Sequence, residues 1–285
     1  MKMSVSLLVG ICTLALVLAS CASAPTFNYR SDPATRELLS KSPPAMPAAR
    51  FMSISDLHLY DGANLGQEGA AFQDYLDRDR KLLRESPEIL ARALQSVIAE
   101  HPDFLLVSGD LTKDGERVNH ELAAKMLGTV EAAGIKVFVI NGNHDINNPD
   151  AMRFSGEKTE AVPGIDPAGF AAIYADFGYA EAIDRDPASL SYVVEPVPGL
   201  WLLAIDSCRY DTNYADGEPV IPGRLDGHRL AWVEKTLLRA RAEGKAVIGM
   251  QHHGMVEHYP SQEQYYGEYL LDDHDAIGRM YAELG

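Results

Sequence analysis

The sequence has few cysteines and few basic residues for its length. Its 285 residues include only 3 cysteines, and a chain this long can bury a core that needs no disulfides. Lys and Arg number 25 against 41 Asp and Glu, which gives a formal net charge of -16. Because nucleic-acid affinity comes mainly from Lys and Arg that neutralise phosphates, this balance argues against a nucleic-acid-binding surface.

The motifs of covalent hydrolases are also missing. The sequence contains no Gly-x-Ser-x-Gly segment, which is the usual setting of a nucleophilic serine in α/β hydrolases. Cys208 has no evident base nearby in the sequence, so it is interpreted as a small buried residue rather than a nucleophile.

The segment that resembles a targeting signal lies at the N-terminus. Residues 5–18 form an apolar run that is too short for an ordinary membrane-spanning helix, and it ends in Leu18-Ala19-Ser20-Cys21. That ending resembles a bacterial lipobox and predicts a lipoprotein signal peptide over residues 1–20, with a lipid on Cys21. A plain secretory peptide cut near Ala24 is the alternative. With the lipid, the protein is expected in the bacterial cell envelope, anchored to a membrane and facing away from the cytoplasm.

Residues 21–48 are rich in Ala, Ser and Pro and predict a tether, with a short helix over 33–39. From residue 49 to 285, apolar strand-like runs alternate with helical periodicity, which favours an α/β domain with helices on both faces of the sheets. Strands are predicted at 50–55, 104–108, 135–140, 190–195, 200–205 and 246–250. Ser86 and Pro87 predict a helix start, with Ser86 as the cap. The polar stretch 146–167 is expected to form a rim or lid.

Polar side chains follow three of these strands at the point where each strand ends. They belong to Asp56-Leu57-His58, Gly109-Asp110 and Gly142-Asn143-His144-Asp145. Open α/β sheets keep their sites at the carboxyl ends of strands, so we expect these side chains to lie close together. A mixture of carboxylate, imidazole and amide ligands suits two cations that share one carboxylate. The pattern therefore predicts metal-assisted hydrolysis of a phosphate ester.

The order and spacing of the three motifs resemble the calcineurin-like metallophosphoesterase family. Its pattern is D-x-H, then G-D, then G-N-H-D or G-N-H-E, then a His on a later strand, and finally G-H-x-H. Asp56 and His58 match the first motif, Asp110 the second, and Asn143-His144-Asp145 the third, while His252 best matches the later His. The resemblance implies an α/β fold in which a two-sheet β-sandwich is flanked by helices on both faces.

Carried over residue by residue, the resemblance also implies roles. Asp56 and His58 would bind one metal, Asn143 and His252 the other, and Asp110 would bridge the two, with a hydroxide held between the ions. His144 would reach the scissile phosphate, as proton donor to the leaving oxygen or as a stabiliser of the transition state. Asp145 would orient His144 or its loop. His253 is expected in the outer shell, although its role could be exchanged with that of His252, and His258 is a candidate for the pocket mouth. Mn, Fe and Zn all suit these ligands.

The sequence departs from the family in having no G-H-x-H. A domain truncated at its C-terminus is one interpretation. The other is a catalytically impaired lipoprotein that binds phosphate or a partner. For an active enzyme, the strands around residues 191–206 and the His252-His253-Gly254 segment resemble lipoprotein phosphohydrolases related to cyclic-nucleotide phosphodiesterases. A small phosphodiester is the first substrate expected, and a phosphomonoester the second.

Overall fold

The computed structural model describes residue 25, residues 27–213 and residues 217–285. The strands are β1 (Phe51–Ile54), β2 (Phe104–Ser108), β3 (Lys136–Ile140), β4 (Met152–Ser155), β5 (Lys158–Ala161), β6 (Asp184–Arg185), β7 (Tyr192–Val197), β8 (Leu200–Ile205) and β9 (Ala246–Gln251). The helices are α1 (Pro33–Leu39), α2 (Gly62–Leu65), α3 (Ala70–Arg78), α4 (Ser86–Glu100), α5 (Arg117–Ala132), α6 (Pro167–Ile173), α7 (Gly227–Ala242), α8 (Gln262–Tyr266) and α9 (His274–Leu284).

The first sheet consists of three parallel strands in the order β1-β2-β3. Strand β2 is almost entirely buried, as its unbroken run of apolar residues predicts. Helices α4 and α5 connect successive strands, which keeps all three pointing in the same direction. Their carboxyl ends therefore meet at one edge, and this edge carries the three polar motifs.

The second sheet has the order β6-β7-β8-β9, in which only β8 and β9 run parallel. Along β8 the side chains alternate between two cores, because successive residues of a strand face opposite sides. The side chains that share a core with the first sheet are Leu200, Leu202 and Ala204. Those that share a core with α7 and α9 are Trp201, Leu203 and Ile205.

Helices cover the outer face of each sheet. Leu90 and Leu94 of α4 and Leu127 of α5 pack in the same cluster of buried residues as the strands of the first sheet. On the other side, Val233 of α7 and Ile277 of α9 pack on the second sheet. The result is a helix–sheet–sheet–helix arrangement, so the predicted α/β fold with two sheets flanked by helices is confirmed.

Residues 27–41, which the sequence assigns to a tether, lie against the domain. Tyr29 is only 2% exposed, its backbone N–H donates to Glu234 (3.1 Å), and its hydroxyl donates to Glu283 (2.8 Å). Arg241 donates to the backbone carbonyl of Lys41 at 2.7 Å. Cys21 and the leader predicted over 1–20 lie outside the described residues. Within those residues, no helix combines the length and apolar character that crossing a membrane requires.

The start of α4 differs from its prediction. The helix begins at Ser86, but the Ser86 hydroxyl does not cap it. That hydroxyl donates to the Leu83 carbonyl and accepts the backbone N–H of Tyr60, both at 3.0 Å. Ser86 therefore ties the segment before α4 to the loop after β1.

The alternation along β8 leads to a stability prediction. Leu202→Ala and Leu203→Ala are each expected to lower the free energy of unfolding by about 2–5 kcal/mol, because each removes packing from a different core. Urea-unfolding midpoints would measure the loss, with Leu82→Ala as the matched control because Leu82 is 62% exposed. If either core variant proved as mild as the control, the arrangement of two cores around β8 would be wrong.

Candidate metal centre

Tight loops at the ends of the first three strands bring the motifs together. The backbone N–H of Asp56 donates to Gly109 O at 3.1 Å, and that of His58 donates to Asp110 O at 2.9 Å. Asp56, His58 and Asp110 all adopt positive φ angles, between 39° and 54°. Such angles are unusual for residues with side chains and occur often at functional sites.

Gly142 is needed for this close packing. A Cβ atom at position 142 would lie 2.2 Å from both the backbone nitrogen and a carboxylate oxygen of Asp110. Only glycine leaves room there, so the Gly-Asn-His-Asp loop can approach Asp110 closely.

The Asp110 carboxylate lies at the centre of the cluster. Its Oδ2 atom is 3.7 Å from His58 Nε2 and 3.4 Å from His252 Nε2. His252 Nε2 in turn lies 3.0 Å from Asn143 Oδ1. Two sets of potential metal-binding side chains contain Asp110, one with Asp56 and His252 and the other with His58 and His144, and in each set the ligand atoms lie within 4.8 Å of one another.

This grouping cuts across the predicted pairing. The resemblance implies Asp56 and His58 on one metal, whereas in the structure Asp56 groups with His252 and His58 groups with His144. His144, expected to contact phosphate rather than metal, therefore also lies within reach of a cation. All five residues expected as ligands nevertheless converge on one spot around Asp110.

The residues present fit a metal ion. The His252 Nδ1–H donates to the Ser108 carbonyl at 2.9 Å, so a neutral ring turns its Nε2 lone pair toward Asn143 Oδ1 and Asp110 Oδ2. A histidine that donates one ring N–H to a backbone carbonyl is typical of metal ligands. With the ring neutral, the lone pairs of His252 Nε2, Asn143 Oδ1 and Asp110 Oδ2 converge, which suits a cation. His58 Nδ1 is likewise buried and has no hydrogen-bond partner in the described part of the chain.

The electrostatics favour positive charge at this point. Burial alone raises the pKa of Asp110, but the neighbouring His252, His144 and His58 rings hold it well below its ordinary value. Burial lowers the pKa of His252, yet Asp110 and the Ser108 carbonyl outweigh that effect and raise it to about 9. Metal ligands must be deprotonated. A bound cation therefore competes with the proton of the His252 ring for the same place next to the Asp110 carboxylate.

His144 is held by a residue that the sequence analysis did not single out. Its Nδ1 lies 2.7 Å from Asp114 Oδ1, so Nδ1 carries the proton and Nε2 is left for other contacts. Asp114 also forms an ion pair with the fully buried Lys113. Burial lowers the pKa of His144, but the hydrogen bond to Asp114 and the charge of Asp110 raise it above its usual value. The sequence offers only a weak signal for this role, which is that Asp114 lies four residues after Asp110 in the same loop.

Asp145 organises loops rather than the substrate side of the site. Its carboxylate accepts backbone N–H groups from Leu111 (3.2 Å), Thr112 (3.0 Å) and Gly142 (2.8 Å). It is fully buried, and burial together with repulsion from Asp110 raises its pKa to about 6. Of the two roles expected for Asp145, orienting its loop is the one that these contacts match.

The two remaining candidates, His253 and His258, belong to neither candidate ligand set. His253 is 3% exposed and bridges two loops, with Nδ1 2.7 Å from Ser207 Oγ and Nε2 donating to the Ile221 carbonyl at 2.7 Å. Its ring still lies beside that of His252, with 5.1 Å between ring centroids. His258, expected at the pocket mouth, is exposed and does not line the cleft.

A cleft of about 850 Å³ opens over the cluster. One stretch of its wall comes from residues 78–89, and Ile221, Tyr266 and Tyr269 add to the lining. The stretch 146–167, expected to form the rim, contributes no lining residue. It folds instead into the β4–β5 hairpin, whose Phe154 packs in a small core that includes Phe72 and Leu83.

Comparisons with known proteins agree with this geometry. The family model for the calcineurin-like phosphoesterase matches residues 49–278. A probable cyclic nucleotide phosphodiesterase of Ruthia magnifica subsp. Calyptogena magnifica is 39% identical over 59 residues, which is 21% of this chain and 24% of that protein. The match thus spans about a quarter of that relative.

A dimetal phosphatase from Danio rerio superposes with a TM-score of 0.51 over 83% of this chain and 78% of that chain, at 16% identity. The family match, the shared fold and the motifs gathered around Asp110 agree that this chain belongs to the calcineurin-like phosphoesterases, a family of phosphate ester hydrolases.

Proposed function

We propose that the chain hydrolyses a phosphate ester with two metal ions held around Asp110. The observation that carries the proposal is the position of Asp110, which belongs to both candidate ligand sets and so can serve two cations at once. Asp56, His58, Asn143 and His252 would complete the binding of the ions. Mn, Fe and Zn all suit these ligands.

The metal ions, when bound, would activate a water molecule and neutralise the phosphate oxygens. The chain's own residues supply the remaining work. Asp114 fixes the His144 ring by holding Nδ1–H, which leaves Nε2 to face the leaving oxygen. We propose that His144 acts as the imidazolium, which its raised pKa favours, and donates the Nε2 proton to that oxygen while Nδ1–H stays on Asp114, which leaves a neutral ring. The ester bond breaks more easily when the departing alkoxide is protonated.

A phosphodiester is the first substrate that we propose, and a 3′,5′-cyclic nucleotide is a specific candidate. The relative from Ruthia magnifica, which is similar over 59 residues, is named a probable cyclic nucleotide phosphodiesterase, and this name favours such a substrate. Two aromatic rings that line the cleft favour it as well. Tyr266 and Tyr269 are about half exposed and nearly parallel, with centroids 6.2 Å apart. Such rings offer a surface on which a planar base could pack. Hydrolysis of bis-p-nitrophenyl phosphate, p-nitrophenyl phosphate and cyclic AMP by the purified protein would rank the substrate classes.

The first test concerns Asp110. Asp110→Asn is expected to lose metal and to lower hydrolysis of bis-p-nitrophenyl phosphate roughly a thousandfold or more, because a neutral amide cannot offset the charge of two cations. Metal content would be measured by mass spectrometry alongside turnover. Asp275→Asn is the matched control, since the Asp275 side chain is 84% exposed on α9. Turnover by Asp110→Asn close to that of the control would refute the bridging role, and wild-type protein that binds phosphate without turnover would favour a binding lipoprotein.

The second test concerns the proton donor. His144→Asn is expected to slow hydrolysis of a phenyl phosphodiester by roughly 10²–10⁴-fold, and to slow that of bis-p-nitrophenyl phosphate much less. The reason is that p-nitrophenolate leaves without protonation, whereas phenolate benefits from it. Steady-state rates for the two esters would be compared. Equal losses on both would contradict proton donation and indicate that His144 only stabilises charge in the transition state.

We further propose that a lipid on Cys21 anchors the protein to a membrane of the bacterial envelope. The lipobox-like ending of the leader supports this proposal. Cys21→Ser is expected to move the protein from the membrane fraction to the soluble fraction, because the thiol that receives the lipid is gone. Cell fractionation and labelling with a radioactive fatty acid would measure the change. The control is Cys12→Ser, which replaces a thiol within the predicted leader. Membrane association and labelling that survive in Cys21→Ser would reject the anchor.

A further inference from the structure

A lysine in the wall of the cleft has no role in the function proposed above. Lys81 belongs to the segment between α3 and α4, lines the cleft, and has a side chain that is 12% exposed. Its Nζ lies 3.5 Å from His144 Nδ1, so an ammonium group stands beside the proposed proton donor.

The segment that carries Lys81 is fixed on both sides. Before it, Asp79 accepts the backbone N–H of Lys81 at 3.0 Å and the Tyr75 hydroxyl at 2.9 Å. After it, Leu83 is fully buried in the core that includes Phe154, and the Leu83 carbonyl accepts the Ser86 hydroxyl. The backbone at Lys81 is therefore fixed before a ligand arrives, which lowers the cost of ordering its side chain on the ligand.

The Lys81 ammonium group makes only long contacts with the oxygens around it. Its neighbouring oxygens are at long distances, 3.5 Å for the Lys113 carbonyl and 3.6 Å for each of Asp79 and Asp114. His144 Nδ1 cannot accept a hydrogen bond from Lys81, because that nitrogen carries a hydrogen that it donates to Asp114 Oδ1. Ammonium hydrogen bonds to charged oxygens are normally about 2.7–2.9 Å long, so Lys81 has room for a closer anionic acceptor.

A purely structural role explains Lys81 less well. Asp114 already has closer partners in His144 and Lys113, and Asp79 has Tyr75 and the Lys81 backbone. Neither carboxylate depends on the Lys81 ammonium for its hydrogen bonds. Lys81 is nearly buried on a segment that is anchored on both sides, and among the described residues its ammonium group makes no hydrogen bond or ion pair with an oxygen shorter than 3.5 Å. Such a cation suits an anion that binds from the cleft.

We propose that Lys81 is a further substrate-binding residue, whose ammonium group donates to a non-bridging oxygen of the phosphoryl group. The inference rests on the proposed function, since it places that phosphoryl group at the metal cluster, next to His144. Lys81 would hold the group from the side that the metal ligands leave open, and its charge would favour the build-up of negative charge during hydrolysis.

Phosphate binding tests this contact without relying on turnover. Inorganic phosphate would be titrated into manganese-loaded protein in a calorimeter, and the Kd compared between wild type and variants. Lys81→Met is expected to weaken binding roughly 10- to 100-fold, as expected for the loss of one charge-assisted hydrogen bond, and Lys81→Arg less. The matched control is Lys125→Met, because Lys125 is exposed on α5 and does not line the cleft. Metal content and thermal midpoint would be measured for every variant, with Lys81→Gln as a second neutral variant should Lys81→Met be unstable.

Rates on bis-p-nitrophenyl phosphate complete the test. Lys81→Met is expected to lower kcat/KM by a similar factor at unchanged metal content. A Kd and a kcat/KM within twofold of wild type would overturn the inference, and so would an equal loss in the Arg and Met variants. If the wild type cleaved no ester but its phosphate binding depended on Lys81, the proposed hydrolysis would fail while the anion contact stood. If the wild type cleaved the ester and Lys81→Met did so equally well, the inference alone would fail.

Discussion

The site depends on keeping one buried carboxylate ionised. Asp110 is only 4% exposed, and a buried charge without partners would cost several kcal/mol. The fold places the imidazoles of His58, His144 and His252 around it, together with the backbone N–H of His144, which donates to Asp110 Oδ1 at 3.0 Å. Each of these groups can stabilise the charge of Asp110 only if its loop brings it next to the carboxylate. The need to stabilise this buried charge therefore determines how closely the strand-end loops must pack.

That packing explains where the backbone is unusual. Asp56, His58 and Asp110 take positive φ angles next to strands of ordinary geometry, and Gly142 is the residue that lets the third loop approach. Strained backbone persists only where the surroundings hold it. Here the parallel sheet fixes the strand ends, and Asp145 ties the second loop to the third through backbone N–H groups of both. The stable sheets thus hold the strained backbone at Asp56, His58 and Asp110 in place.

The sequence predicts those parts of the molecule whose signal is local. Strands 104–108 and 200–205 have the predicted bounds, because continuous apolar runs bounded by polar residues define them. The convergence of the five expected ligands could be predicted because they follow strands directly, whereas their roles came from the resemblance to the family. Asp114, Lys81 and the contact of Tyr29 with the domain could not be assigned in the same way. Their positions depend on how the segment before α4, the loop after β2 and the N-terminal segment dock, and such contacts leave no periodic pattern in the sequence.

The acidity of the chain gives the local cations their importance. With a formal charge of -16, the protein as a whole repels phosphate esters, although salt limits that repulsion to about 8 Å at physiological ionic strength. Attraction must then come from groups within the cleft. Asn143 contributes a neutral oxygen where a carboxylate would subtract charge, and Lys81 adds a cation beside His144. Metal ions bound at Asp110 would therefore lie in a cleft where negative charge is already limited. In this way an acidic protein can present a locally positive site to a phosphate ester.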